Sequence, residues 1–321
     1  MNKVLILLIA FGTYITLAAQ EKKNEALLKE VSENACKSID SIDTYNKTRE
    51  QIAKEINSCI DKQVMAYQLG SKMEAVTTDK SLTAKTNKHK TIKINISDDK
   101  NSNEYKKYYY EIERYLMGNC KAIKQKIATN DVETDKAMSK NNTALDFYSQ
   151  GLKEYKAENY KDAILYFEKA VATDSVFTFA WDNLGICYRR TDDYDKAIYA
   201  YKKSLELDPN GTTALQNIAV AYKYKKEYKL AIDAYDRLAV IDKNNPEVFY
   251  GLGDIYTFSL NDYEKGLDNM CKAYNKYVEQ QSPYRSDAEK IISTIYSEMK
   301  KQNKLDRFNA ILKENHINPV K

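Results

Sequence analysis

The sequence predicts an all-α chain whose second half is a stack of helix pairs, and three observations carry that reading. Tyr160, Tyr194 and Tyr228 stand 34 residues apart, as do Ala163, Ala197 and Ala231, then Phe167, Tyr201 and Tyr235, and Tyr188, Tyr222 and Tyr256. A recurrence of that length marks helical hairpins stacked on one another. Within the clearest copy, Trp181, Leu184 and Tyr188 share one helical stripe. Gly185 and Ala197 offer small contact points where two helices cross, and Pro209 stops the second helix. The third observation is scarcity of turn-formers: 321 residues contain only 9 Gly and 4 Pro, which leaves most of the chain free to be helical.

Taken in order, the elements begin with residues 1–19, where Lys3 precedes an apolar run ending at Leu17-Ala18-Ala19-Gln20. Small residues at the end of a short apolar stretch have the layout of a secretory signal peptide. The protein is therefore expected to be exported, periplasmic or extracellular and associated with the cell envelope. A membrane enters only through the alternative that this segment stays uncleaved as an anchor. No Cys follows the run, which argues against lipoprotein processing.

Residues 20–142 read as a helical N-terminal module. Ile52, Ile56, Cys59, Ile60 and Val64 fall on one apolar face, and periodicity returns through Tyr105, Tyr109, Ile112, Leu116, Cys120 and Ile123. Between them, residues 77–103 are polar and read as a mobile loop. Ile92-Lys93-Ile94-Asn95-Ile96 could pair as a strand, without an obvious partner. Export makes a disulfide possible among Cys36, Cys59 and Cys120. Cys36 with Cys59 is the first choice, because it would staple two sequential helices, with Cys120 as the alternative partner. A simple hairpin about residue 44 leaves that first pair out of register by ~10 Å at ~1.5 Å per residue. Cys187 and Cys271 read as packed structural thiols.

The repeats then occupy residues 144–280 as four units: 144–177, 178–211, 212–245 and 246 to about 280. Their residues resemble the tetratricopeptide repeat (TPR) family, whose pattern runs W-x-x-L-G-x-x-Y and then Tyr, Ala, aromatic, Ala and Pro. Departures are specific. The first unit has Glu154, with Tyr155 beside it, at the helix-A tyrosine, and Ser175 for the proline. The third has Ala219 for the glycine, Leu238 for the last alanine and Lys243 for the proline. In the fourth, Tyr263 and Ala273 arrive one residue late and Gly266 replaces the mid-unit alanine, which reads as a one-residue insertion in the turn around Ser259 to Asp262. The resemblance implies a right-handed superhelix. Residues 281–321, with Ile291, Ile292, Ile295, Tyr296, Leu305, Phe308 and Leu312, are expected to form capping helices over the last unit.

Chemistry is sparse. The two histidines, His89 and His316, stand far apart, and no phosphate loop, dinucleotide glycine pattern, nucleophile elbow or zinc-protease helix is present. No catalytic residue, cofactor or metal site is expected. The net charge of +4, with Lys interleaved among Glu and Asp, argues against nucleic acid as a partner, and no small-molecule substrate is evident.

What the TPR resemblance implies is a groove lined by the first helix of each unit. Carried onto this sequence, the sixth place is Ser149, Asn183, Asn217 and Gly251. The twelfth is Tyr155, Arg189, Lys223 and Thr257, and the thirteenth Lys156, Arg190, Tyr224 and Phe258. Asn183 and Asn217 could grip a peptide backbone by donor and acceptor together. Arg189, Arg190 and Lys223 supply cations, Tyr155 and Tyr224 aromatic area. The carboxylate clamp of chaperone-binding TPR domains would need particular residues at Tyr148, Leu152, Asn183, Thr213 and Asn217, and only Asn183 agrees. The sequence thus points to a non-enzymatic scaffold binding a peptide or protein segment in the groove. The alternatives are a structural or assembly subunit of an envelope complex, docking by the N-terminal module or convex face, and an enzyme of unrecognised type.

Overall fold

A computed structural model of the chain describes residues 24–44, 47, 49–78, 94–128 and 138–318. The expected signal segment, Ile92 and Lys93, and most of the expected polar loop lie outside them. The chain divides into two compact units, Met1–Thr129 and Asn130–Lys321.

The first unit contains α1 (24–40), α2 (Arg49–Thr78), α3 (Asn103–Asn119) and α4 (Lys121–Ala128). The apolar face read from the sequence is its core: Ile52, Ile56, Ile60 and Val64 of α2 are fully buried, with Ile112, Leu116 and Ile123. Tyrosine hydroxyls tie α2 to α3. Tyr67 donates to Glu111 Oε2, Tyr105 to Asp61 Oδ1 and Tyr109 to Asn57 Oδ1, each at 2.8 Å. Residues 94–99 have no regular secondary structure, yet they are held. The buried Gln68 amide accepts from Ser97 N–H at 3.0 Å and donates to Ser97 O at 2.9 Å, so a side chain on α2 supplies the pairing a neighbouring strand would give.

The disulfide corrects the first choice made from sequence. Cys36 is bonded to Cys120, with Cα atoms 5.7 Å apart, and Cys59 is a buried free thiol. Cys59 takes its place among the isoleucines of the α2 core face, and burial pushes its thiol pKa up. Cys36 instead meets the end of α3, a connection between distant stretches of sequence.

The second unit is built of five helix pairs: α5 (Asn142–Lys156) and α6 (Tyr160–Thr173), α7 (Thr178–Arg190) and α8 (Tyr194–Leu207), α9 (Thr212–Tyr224) and α10 (Tyr228–Ile241), α11 (Pro246–Asp254) and α12 (Tyr263–Glu279), α13 (Arg285–Lys301) and α14 (Leu305–Glu314). Inside each of the first three pairs lies a three-residue turn whose middle residue takes the left-handed conformation, Glu158, Asp192 and Lys226, at φ 61–62°. The turn is closed by the next N–H reaching back five residues, Asn159 to Glu154 O, Asp193 to Tyr188 O and Glu227 to Tyr222 O, each 2.9 Å. Gln302-Asn303-Lys304 repeats that device, with Asn303 at φ 56° and Lys304 N–H on Met299 O at 2.9 Å. α13 and α14 therefore form a fifth hairpin of the same construction. Ile291, Ile295, Phe308 and Leu312 are buried there with Leu267, Met270 and Tyr277 of α12.

Small residues mark the crossings. A Cβ placed on Gly185 would stand 2.5 Å from the Tyr201 ring, so the aromatic of the second helix needs the bare backbone of the first.

The fourth pair holds the extra residue, but not in its turn. Leu260-Asn261-Asp262 is again three residues long with Asn261 at φ 54°. Upstream, Ile255–Ser259 forms a π-helical turn, with Leu260 N–H on Ile255 O at 3.0 Å. The closing bond, Asp262 N–H to Tyr256 O at 2.8 Å, now spans six residues. The reason is geometric: the tight turn has one workable shape, whereas a helix can absorb one residue as a π-bulge. The bulge drives Thr257 inward to 1 % exposure. A Cβ on Gly266 would lie 2.3 Å from Thr257 Oγ1 and 3.3 Å from Thr257 N. That explains why glycine replaces the alanine found at Ala163, Ala197 and Ala231. Gly266→Ala should cost about 1–3 kcal/mol by overpacking, read as a lower midpoint in denaturant unfolding. An unchanged midpoint would show that the bulge relaxes freely.

Candidate interaction surface

The first helices of the second, third and fourth pairs, α7, α9 and α11, neighbour one another directly. The residues expected on the groove line therefore come from adjacent helices, and the structure shows what each is already bonded to. Asn183, half-buried on α7, donates one amide hydrogen to Phe179 O at 2.9 Å and the other to Tyr148 Oη at 3.1 Å. Both donors are spent inside the protein, so Asn183 has its Oδ1 acceptor to offer rather than the donor-and-acceptor grip expected from sequence. Asn217 on α9 donates to Thr213 O at 2.9 Å and keeps a second amide hydrogen.

Lys223 at the end of α9 is bonded to Asp254 Oδ2 of α11 at 2.7 Å, and both side chains are mostly buried. Its charge is matched within the fold. Its equivalent one unit earlier behaves differently: among the described residues, Arg189 and Arg190 reach no carboxylate at ion-pair distance. Tyr224 is 54 % exposed and stacks face to face on Tyr194, ring centroids 5.1 Å apart. Tyr155 packs edge-on against Tyr160 at 5.7 Å. Burial raises the Tyr155 phenol pKa, and the Arg190 charge opposes that rise. The fourth unit breaks the row, because the π-turn buries Thr257 and leaves Phe258 exposed.

Sequence reasoning missed Asp254, which matches Lys223, and Tyr201, whose buried hydroxyl lies beside the line. The first was legible in principle, since Asp254 occupies the ninth place of the next unit. Tyr201 carried only the signal of a packing residue.

A shallow cleft of about 310 Å³ lies between the α11–α12 and α13–α14 turns, lined by Asn261, Asp262, Glu264, Met299, Gln302 and Lys304 among others. Glu264 there has its carboxyl pKa lowered, by the hydrogen bond from Arg307 Nε at 3.0 Å first and then by Lys304 at 3.4 Å. A carboxylate held ionised by two exposed cations is an ion-pair network. Acid–base work at neutral pH calls for a shift in the opposite direction. Among the described residues no cluster of His, Cys, Asp or Glu could hold a metal ion.

A row of helix pairs, each closed by the same turn and packed on the next, is an α-solenoid, a class that presents extended surface more than an enclosed cavity. Residues 178–210 match the tetratricopeptide-repeat family model. No curated protein sequence matches the chain. Similar solved structures include the first TPR of Spaghetti (RPAP3) bound to HSP90 peptide SRMEEVD, at 21% identity and TM-score 0.36 over 38% of this chain and 95% of that one. The Arabidopsis OM64 TPR domain matches at 14% identity and TM-score 0.34, over 34% and 91%. MamA 41-end from Desulfovibrio magneticus RS-1 matches at 18% identity and TM-score 0.40, over 51% and 99%.

Proposed function

We propose that this protein is an exported, non-enzymatic scaffold that binds a protein segment along the first helices of its repeats. The observation that carries the reading is the line itself: Asn183 with Asn217 and Arg189 with Lys223 recur at the repeat spacing on helices that touch, with exposed Tyr224 beside them. Export is supported by the Cys36–Cys120 disulfide, since such a bond persists in oxidising compartments. No described helix is long and apolar enough to cross a membrane.

A second reading, docking through the N-terminal unit, has one observation of its own. Met65, Leu69 and Met73 follow one another at four-residue spacing on α2 and are 50 %, 40 % and 50 % exposed. A soft apolar stripe of that kind suits a protein contact.

One capture experiment separates the two. The mature chain, an Asn217→Ala/Arg189→Ala variant and a Met65→Lys/Leu69→Lys/Met73→Lys variant are each immobilised against envelope extract. Groove binding predicts that the first variant loses its captured protein by about tenfold or more, as removal of a charged contact and a neutral one implies, while the second keeps it. The reverse pattern overturns the groove reading in favour of the α2 stripe.

A further inference from the structure

The sulfur atoms of the chain differ sharply in what can reach them. Cys36 and Cys120 are already joined as a disulfide, and Cys59, Cys187 and Cys271 are buried free thiols. Burial pushes the Cys59 thiol up and lifts Cys187 and Cys271 to about 12. The thiolate, which is the form that attacks an oxidant, is therefore scarce at neutral pH. Among the methionines, Met117, Met270 and Met299 are fully buried, and Met138 is partly buried against the core of the repeats. Met65 and Met73 stand apart, because each is 50 % exposed on α2.

The two lie eight residues apart in the sequence, which puts them on one side of the helix, two turns and roughly 12 Å from each other. Leu69 stands between them and is 40 % exposed. A thioether has no proton to lose, so access to the sulfur governs its oxidation, with no pKa to gate it. With a peroxide, a sulfur lone pair attacks one oxygen and the O–O bond breaks. The sulfur is oxidised and keeps that oxygen as a sulfoxide, and hydrogen peroxide is reduced and leaves as water. No acid, base or cofactor is required of the protein. The product is a polar side chain in place of an apolar one, and methionine sulfoxide reductases reverse it. Oxidation at both positions leaves Leu69 as the one apolar member of the stripe.

We propose that Met65 and Met73 form a reversible oxidation site for peroxides, at which oxygen transfer turns the exposed stripe of α2 polar and leaves the fold intact. The site rests on neither reading of the function above. Its oxygen goes to the two sulfurs that face solvent, while the buried thioethers and thiols are spared by packing.

The test exposes the full mature chain to hydrogen peroxide at neutral pH and follows each methionine by peptide mass spectrometry over time. The same reaction in denaturant gives every methionine its unprotected rate. Met65 and Met73 should each gain one oxygen at close to that rate, and Met117, Met270 and Met299 at least about tenfold more slowly. Raising the pH by about one unit should leave the Met65 and Met73 rates unchanged, whereas oxidation of a thiol would accelerate. Circular dichroism should stay as it was, and retention on a hydrophobic-interaction column should fall, then recover after treatment with both methionine sulfoxide reductases. Met65→Leu/Met73→Leu keeps the stripe apolar without its sulfurs, so it should be retained as the parent is before peroxide and should no longer respond to it. Protection of Met65 and Met73 equal to that of the buried methionines overturns the proposal, as do loss of helix on their oxidation, an equal fall in retention in the leucine variant, or sulfoxides that the reductases leave in place.

Discussion

Replacing Cys36 and Cys120 together by serine should destabilise the N-terminal unit by about 3–5 kcal/mol, the largest effect expected of any change in that half. The bond joins residues 84 apart in sequence, and the loop-closure entropy it removes from the unfolded chain grows with that separation. Among the described residues α2 packs against α3 and α4, and tyrosine hydroxyls bond α2 to α3. Cys59→Ser is the control, since that thiol is buried and free and its loss touches no cross-link. Amide exchange should speed up through α1, α3 and α4 in the double variant, and in the parent under reducing conditions, with α5 to α14 unaffected. Unchanged protection in those helices would show that packing alone holds the unit together.

The repeats were legible because the packing constraint recurs. Each hairpin needs a small residue where an aromatic crosses, and the turn positions 157–159, 191–193 and 225–227 follow from the recurring tyrosine that opens each second helix. The fifth hairpin was read as capping helices, because α13 and α14 share the turn but not the Tyr, Ala and aromatic positions that make the others recognisable. The insertion in the fourth unit was legible as one residue too many. Its place was not, because spacing cannot say whether turn or helix yields, and hydrogen-bond closure decided for the helix. The disulfide was missed for a similar reason: a hairpin argument considers sequential helices, and Cys120 reaches Cys36 through tertiary packing that no local pattern encodes. On the candidate surface the rows were visible as spacing. What each side chain was already holding, Tyr148 for Asn183 and Asp254 for Lys223, depends on neighbours a unit away. Those bonds decide which residues remain available.

Raising the pH above 10 should unfold the repeat unit steeply, and the cause is its buried tyrosines. Tyr201, Tyr235 and Tyr277 are 0 %, 4 % and 2 % exposed. All three phenols are pushed above their ordinary value, burial being the first cause in each. The Glu247 charge adds to the rise at Tyr235 and Tyr277, and Tyr277 also donates to Glu247 Oε1 at 2.7 Å. Arg189 opposes it at Tyr201 and Tyr235. An unfolded tyrosine ionises near 10. Below that pH both states keep the proton and nothing is lost. Above it the unfolded chain releases protons that the folded chain retains, so stability falls as pH rises, by about 1.4 kcal/mol per pH unit for each phenol held back. Three phenols give roughly 4 kcal/mol per pH unit, set against a total of about 5–15 kcal/mol for an ordinary domain. Helix loss followed by circular dichroism should therefore set in between about pH 11 and 12, with tyrosinate absorbance of the buried rings appearing in the same step. Tyr201→Phe sharpens the test. Its buried hydroxyl has the Arg189 guanidinium as its hydrogen-bond neighbour, so removal should lower neutral-pH stability by about 1 kcal/mol at most while flattening the alkaline slope by about a third. Tyrosinate absorbance that develops near pH 10 for all rings, with the helices intact, would mean that these phenols reach solvent in the folded state.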